Sequence, residues 1–195
     1  MSLSKWLPIW VLTLILHGCG PNGTIAPLTF DEANTLKVFT ELGGQHTLVI
    51  TSPEEQGEQL RLCLTLCNKA NGRPLINQKV HFYHTSSTGK YEPSDSMDES
   101  SARLSGSAVT DNQGRIYVQT ILPGSYGNSK NNRHIHTTVY GAKPEAYDIH
   151  FRQYTGFMGK NFIEGSDQHF LADLKTTDPG LLVTFLKIEC KFRSN

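Results

Sequence analysis

The sequence predicts an all-β chain folded as an antiparallel β-sandwich with long loops, and three observations carry that expectation. Short strand-like runs recur at regular spacing from Gly44 to Phe192, turn residues separate them, and no strong helical period interrupts them. A length of 195 residues with ordinary apolar content suits one globular domain with a core of its own. Lys plus Arg (18) balances Asp plus Glu (18), so no basic excess points to nucleic acid.

At the N-terminus Lys5 precedes an apolar run from Trp6 to Leu16, too short to cross a bilayer and suited to the h-region of a secretory signal. Leu16-His17-Gly18-Cys19 follows and resembles a bacterial lipobox, with His17 a departure from the small or uncharged residue usual there. Residues 1–18 are therefore expected to be a lipoprotein-type signal peptide, with Cys19 the lipidation site; an ordinary secretory signal is the alternative. Acyl chains on Cys19 would hold an exported protein to a membrane surface, periplasmic or at the cell surface, without a spanning helix. Residues 19–43 then form a tether and N-terminal segment, flexible from Pro21 to Pro27, and residues 44–195 form the domain. Phe30 to Leu42 reads either as a short helix capped by Asp31 or as the start of a strand.

His46 to Thr51 is strand-like and stops at Ser52-Pro53. Leu60, Leu62, Leu64 and Leu66 alternate with Arg61, Cys63 and Thr65, the period of a half-buried strand. Cys63 and Cys67 on that strand would stand roughly 13 Å apart, from a rise of about 3.3 Å per residue. That is too far for a bridge, so any intramolecular disulfide is expected to use Cys190; three buried thiols are the alternative. After a turn at Asn71-Gly72-Arg73-Pro74, Lys79 to His84 forms another strand. Ser86 to Arg103 is a long polar loop holding Tyr91. Strands resume at Ser105 to Thr110 and Arg115 to Ile121, then at Tyr147 to Tyr154 and Leu181 to Phe192, with Gly156 to Asp178 a polar excursion.

The chain is organised around Tyr117 to Tyr140: a strand, a turn at Pro123-Gly124, Tyr126, an Asn-rich loop, then Arg133-His134-Ile135-His136. Side chains alternate along a strand, so His134 and His136 share one face and make half a metal site; surface histidines are the plain alternative.

The ordered run Gly72-Arg73-Pro74-Leu75, Val80-His81-Phe82-Tyr83, Gly89-Lys90-Tyr91, Gly106-Ser107-Ala108-Val109-Thr110-Asp111 with Gly114-Arg115, Leu122-Pro123-Gly124-Ser125-Tyr126 and His134-Ile135-His136 resembles the core of the intradiol ring-cleavage dioxygenases, over residues 60 to 155. The resemblance implies a sandwich of that family's type and a non-haem Fe(III) held by Tyr91, Tyr126, His134 and His136. Phenolate is a hard anionic donor suited to a ferric ion, and imidazole completes the set. It further implies that a catechol-type substrate displaces Tyr126, and that dioxygen then splits the ring between the two hydroxyl-bearing carbons, giving a muconate-type diacid.

The chain departs from the family at one arginine. The family places it three residues before the first histidine, where Asn131 stands here, while Arg133 immediately precedes His134. Arg133 takes the catalytic role only if the chain bends locally, and is otherwise a surface arginine. Asp148 is a loose match to a polar group expected on the following strand, and Asn128 stands near a missing aromatic. His81, His84 and His150 read as structural or surface histidines. Two other readings stay open: a cell-surface binding module resembling transthyretin-like or carboxypeptidase regulatory domains, and an iron-binding relative without turnover.

Overall fold

A computed structural model of the chain describes residues 23–127, 129, 131–155, 166–178 and 180–192. The expected signal peptide, Cys19, Asn128 and the first part of the Gly156–Asp178 excursion lie outside the described residues. Among the described residues no helix is long and apolar enough to cross a membrane.

In chain order the elements are β1 (Ala26–Pro27), α1 (Phe30–Thr40), β2 (Thr47–Val49), β3 (Gln59–Asn68), β4 (Lys79–His84), β5 (Leu104–Val109), β6 (Arg115–Ile121), β7 (His134–Val139), β8 (Ala146–Phe151), β9 (His169–Ala172), β10 (Lys175–Thr176) and β11 (Leu182–Cys190). They form a six-stranded sheet ordered β1-β10-β11-β3-β6-β2 and a five-stranded sheet ordered β5-β4-β7-β8-β9. Leu60, Leu62, Leu64 and Leu66 of β3 pack against Val80 and Phe82 of β4 and Ile135, Ile149 and Phe151 of β7 and β8 in one buried core.

The expected antiparallel sandwich is corrected in one respect: both sheets are mixed. β11 runs parallel to β3 along its whole length, from Leu182 beside Leu60 to Cys190 beside Asn68. β2 pairs parallel with β6, β8 with β9, and β1 with β10. A parallel central strand is commonly covered on both faces. Here the leucines of β3 face the main core, while Cys63 packs outward with Tyr117 and Val183 under Phe39 of α1.

The Phe30–Leu42 ambiguity resolves as helix, for a local reason. Thr29 is the N-cap: its hydroxyl accepts from the Glu32 amide at 3.2 Å, and the Glu32 carboxylate accepts from the Thr29 amide at 2.8 Å. Asp31 and Glu32 sit in the positive first turn.

Of the two cysteine readings, three buried thiols is the one observed. Cys63, Cys67 and Cys190 are free and buried. Paired residues of parallel strands point the same way, so Cys190, beside Asn68, faces the main core, whereas Cys63 faces α1. Burial pushes the Cys63 and Cys190 thiols up to about 12, which keeps them protonated. The stretch read as a polar excursion contributes β9 and β10, two short strands that extend the two sheets.

His84 closes β4 as a buried structural histidine. Its Nδ1 lies 2.7 Å from the Thr85 carbonyl oxygen and its Nε2 lies 2.6 Å from Thr120 Oγ1. Burial lowers its pKa to about 4, the Thr85 hydrogen bond opposing this only in part. An unfolded histidine titrates near about 6.5. As pH falls from there towards 4, the unfolded chain takes up a proton that the folded chain refuses, so stability is full above the window and is lost on the way down. The loss is up to about 1.4 kcal/mol per pH unit for one such group. The urea midpoint is therefore expected to fall between pH 7 and pH 5, and less steeply in His84→Gln; an equal slope in the variant would remove His84 as the cause.

Candidate metal centre

The site lies on the face of the five-stranded sheet turned away from the core. In β7, Ile135 is fully buried while His134 and His136 are only partly so, as alternation requires. Register carries this face across the neighbouring strands: Tyr83 of β4 lies beside His136, His136 beside Asp148 of β8, Asp148 beside His169 of β9, and His134 beside His150.

Two loops deliver the tyrosines. Tyr91 follows β4, and its carbonyl accepts from the Arg103 amide at 3.0 Å at the far end of the loop. Arg103 in turn forms ion pairs with Glu55 and Glu92. Tyr126 follows β6, and its amide donates to the Asn132 carbonyl at 2.9 Å, which folds the loop back to the start of β7. The Tyr91 and Tyr126 ring centroids are 5.5 Å apart.

Tyr91 Oη is 2.8 Å from His136 Nε2, and His136 Nε2 is 3.1 Å from His134 Nε2. His136 Nδ1 is 2.7 Å from Asp148 Oδ1. A carboxylate accepts only, so the His136 proton sits on Nδ1 and the Nε2 lone pair points at Tyr91 and His134. Tyr83 stacks on the same imidazole, with centroids 4.5 Å apart, and fixes its plane. His134 Nδ1 is buried without a hydrogen-bond partner among the described residues.

The electrostatics fit a cation at that convergence. Burial, helped by the nearby His136, lowers the His134 pKa to about 4 and keeps it neutral. Burial first, then Glu99 and the neighbouring phenols, pushes the Tyr91 phenol well above its usual value, so deprotonation there requires a strong positive charge. Burial alone would raise the Asp148 pKa, but its hydrogen bond to His136 and the histidines around it bring the net shift below the usual carboxylate range. Two phenol oxygens and two imidazoles are a donor set that fits ferric iron.

The family now follows from comparison with known proteins. Residues 38–164 match the protein-family model described as "Dioxygenase". The chain belongs to the intradiol ring-cleavage dioxygenase family. It is 41% identical over 59 residues to catechol 1,2-dioxygenase of Acinetobacter baylyi, a stretch covering 30% of this chain and 19% of that relative. Among solved structures it resembles 3-chlorocatechol 1,2-dioxygenase of Rhodococcus opacus 1CP, with TM-score 0.59 and 19% identity over 78% of this chain and 67% of that one. It also resembles the dioxygenase domain of a dioxygenase carbohydrate-binding protein fusion from Streptomyces sp. SirexAA-E, with TM-score 0.58 and 16% identity over 78% of this chain and 93% of that one. At these identities the structural likeness shows the fold.

The structure thus brings Tyr91, Tyr126, His134 and His136 of this dioxygenase-family chain together and leaves Arg133 outside the group. The Arg133 guanidinium carbon sits 4.4 Å from the Tyr154 ring centroid, a cation–π contact, and its Nε is buried without a hydrogen-bond partner among the described residues. His81 is structural as read, bonded to Ser107 Oγ and the Ser100 carbonyl. Tyr83 and His169 are the additions that sequence reasoning missed. Asp148, only a loose match in the sequence, sits on His136, and His150 joins the same face. The signal for this second pair was present: Asp148-x-His150 repeats the two-residue spacing of His134-x-His136.

Proposed function

We propose that the chain is a non-haem ferric intradiol dioxygenase whose Tyr91, Tyr126, His134 and His136 hold the iron and which cleaves a catechol-type ring to a muconate-type diacid. The observation that carries this is the convergence of Tyr91 Oη, His134 Nε2 and His136 Nε2 at 2.8 and 3.1 Å, with Tyr126 alongside. Ferric iron would draw electron density from a bound catecholate and make its ring reactive towards dioxygen.

The chain's own residues divide the remaining work. Tyr126 is 45% exposed and makes no hydrogen bond through its phenol among the described residues, so it is the tyrosine that an incoming catechol can displace. Once displaced, its phenolate can accept a substrate proton. Tyr91 is held by its hydrogen bond to His136 and by the Arg103 amide behind it, and remains in place. Asp148 and Tyr83 fix the tautomer and the plane of His136.

A second reading, an iron-binding relative without turnover, is favoured by one observation. Arg133 packs over Tyr154 and reaches none of the four donors, so the charge stabilisation expected of an arginine near the substrate has no source there.

One experiment separates the readings. The purified full chain is loaded with ferric iron, its visible spectrum and iron content are recorded, and oxygen uptake is followed on adding catechol. The proposal expects a tyrosinate-to-iron band that shifts with catechol, oxygen consumption and formation of a diacid, with Tyr126→Phe weakening the band and stopping turnover. A shifted band without oxygen uptake supports the second reading. A colourless chain after reconstitution sinks both and leaves the binding module.

A further inference from the structure

Beside the Tyr91–Tyr126–His134–His136 group, the same sheet face carries a second set of donors, of which only one oxygen of Asp148 has a role in the reading above. Asp148 and His150 alternate along β8, and β9 places His169 directly beside Asp148. One donor atom from each of Asp148, His150 and His169 lies within 4.8 Å of the others. The two carboxylate oxygens of Asp148 are divided: Oδ1 is 2.7 Å from His136 Nδ1, while Oδ2 faces His169 Nε2 at 3.7 Å. That gap exceeds hydrogen-bond length, whereas ligands of one tetrahedral ion, at about 2.1 Å each, stand roughly 3.4 Å apart.

His150 makes the stronger point. It is 3% exposed, and both of its ring nitrogens are buried without a hydrogen-bond partner among the described residues. Buried polar groups are normally satisfied, and His84 in this chain shows the ordinary solution, with both ring nitrogens bonded. A buried imidazole with both nitrogens unanswered, set among a carboxylate and a second imidazole, has the surroundings of a metal ligand.

We propose that Asp148, His150 and His169 form a second metal site, for a divalent first-row transition ion. Two imidazoles and one carboxylate are the donor set such ions take, with remaining positions open to water or a small ligand. Asp148 links the two sites, binding the second ion through Oδ2 while its Oδ1 accepts from His136. The second site uses donor atoms of its own, Asp148 Oδ2 included, and does not depend on the iron reading.

The test uses zinc as the probe. The iron-loaded full chain is titrated calorimetrically with zinc sulfate, and both metals are quantified after desalting. The expected result is one zinc per chain in addition to iron. His150→Gln and His169→Gln are each expected to weaken zinc binding by about 100-fold, with circular dichroism and iron content unchanged. Should His150→Gln fail to fold, His169→Gln on the short strand β9 decides. Tyr91→Phe should lower iron and leave zinc in place. Zinc that displaces iron one for one, no zinc beyond iron, or uptake unaltered in His169→Gln would each overturn the proposal. A colourless chain that still takes up zinc through His150 and His169 retains this site and removes only the iron reading.

Discussion

His136→Ala is expected to lose bound iron and the visible band together while the chain stays folded. His136 is the hub of the centre: Nε2 meets Tyr91 Oη and His134 Nε2, Nδ1 meets Asp148, and the ring stacks on Tyr83. Alanine removes one donor outright and strands two others. The Tyr91 phenol loses its hydrogen-bond partner, and the Asp148 carboxylate, only partly solvated, loses the bond that lowers its pKa. Loss of a supporting partner alone typically costs a metal site about 10–100-fold in affinity, so loss of the ligand with its supports should exceed about 100-fold. Asp148→Asn, which keeps shape and removes charge, should fall in the smaller range. Thr138 is the control, two residues further along the same face of β7 and paired with His81 rather than with the donors. Thr138→Ala should retain iron. Iron content measured on desalted, folded variants checks the order, and a His136→Ala protein with undiminished iron and colour would place the metal elsewhere.

What could be read in the sequence divides along the range of the forces involved. The His134–His136 pair needs only strand alternation, a property of two neighbouring residues, and β7 obeys it. The burial of Leu60, Leu62, Leu64 and Leu66 likewise follows from period two. The Tyr91 and Tyr126 loops were found by the order of their motifs, because nothing local says that two loops separated by β5 and β6 meet over one strand. Asp148 and His169 depend on cross-strand register, β7 with β8 and β8 with β9, which no local pattern encodes. The parallel pairing of β11 with β3 was hidden for the same reason: these strands are joined across most of the domain. Cys63 alternates with the core-facing leucines of β3 and is buried all the same, because α1 covers that side of the strand. That helix is legible in the sequence, since Thr29 and Glu32 have the spacing of a capping box.

Arg133 is the opposite case, a position that local strand geometry does reach. On a regular strand its side chain leaves the face of His134 and His136, and the structure directs it onto Tyr154. Aromatic packing of the guanidinium explains its position without any substrate contact.

Gly124→Ala is expected to lower both stability and iron retention, because the two tyrosine loops touch backbone to backbone at this residue. A β-carbon on Gly124 would stand 2.5 Å from the Ser87 carbonyl oxygen and 2.6 Å from that of Ser86, and closer still to the Gly89 amide nitrogen. These are main-chain atoms and cannot swing aside. The same contact is built from the other side, since Gly89 has φ +80° and its own added β-carbon would strike the Ser125 carbonyl. Two hydrogen bonds fasten the crossing: the Gly124 amide to the Ser86 carbonyl at 2.9 Å, and the Thr85 hydroxyl to the Gly124 carbonyl at 2.9 Å. Tyr91 and Tyr126 each follow their glycine by two residues, so forcing the loops apart separates the phenols. Overpacking of this kind costs about 1–3 kcal/mol, and each lost hydrogen bond roughly 1 kcal/mol more. For a domain of this size the melting temperature should fall by roughly 10 °C. Gly127→Ala in the same loop is the comparison, because Gly127 also has a positive φ, +70°, but an added β-carbon there meets nothing within 4 Å among the described residues. It carries only the left-handed backbone penalty of about 1 kcal/mol and should keep its iron. Equal losses in the two variants would mean that backbone conformation, and not the close crossing of the loops, holds the tyrosines together.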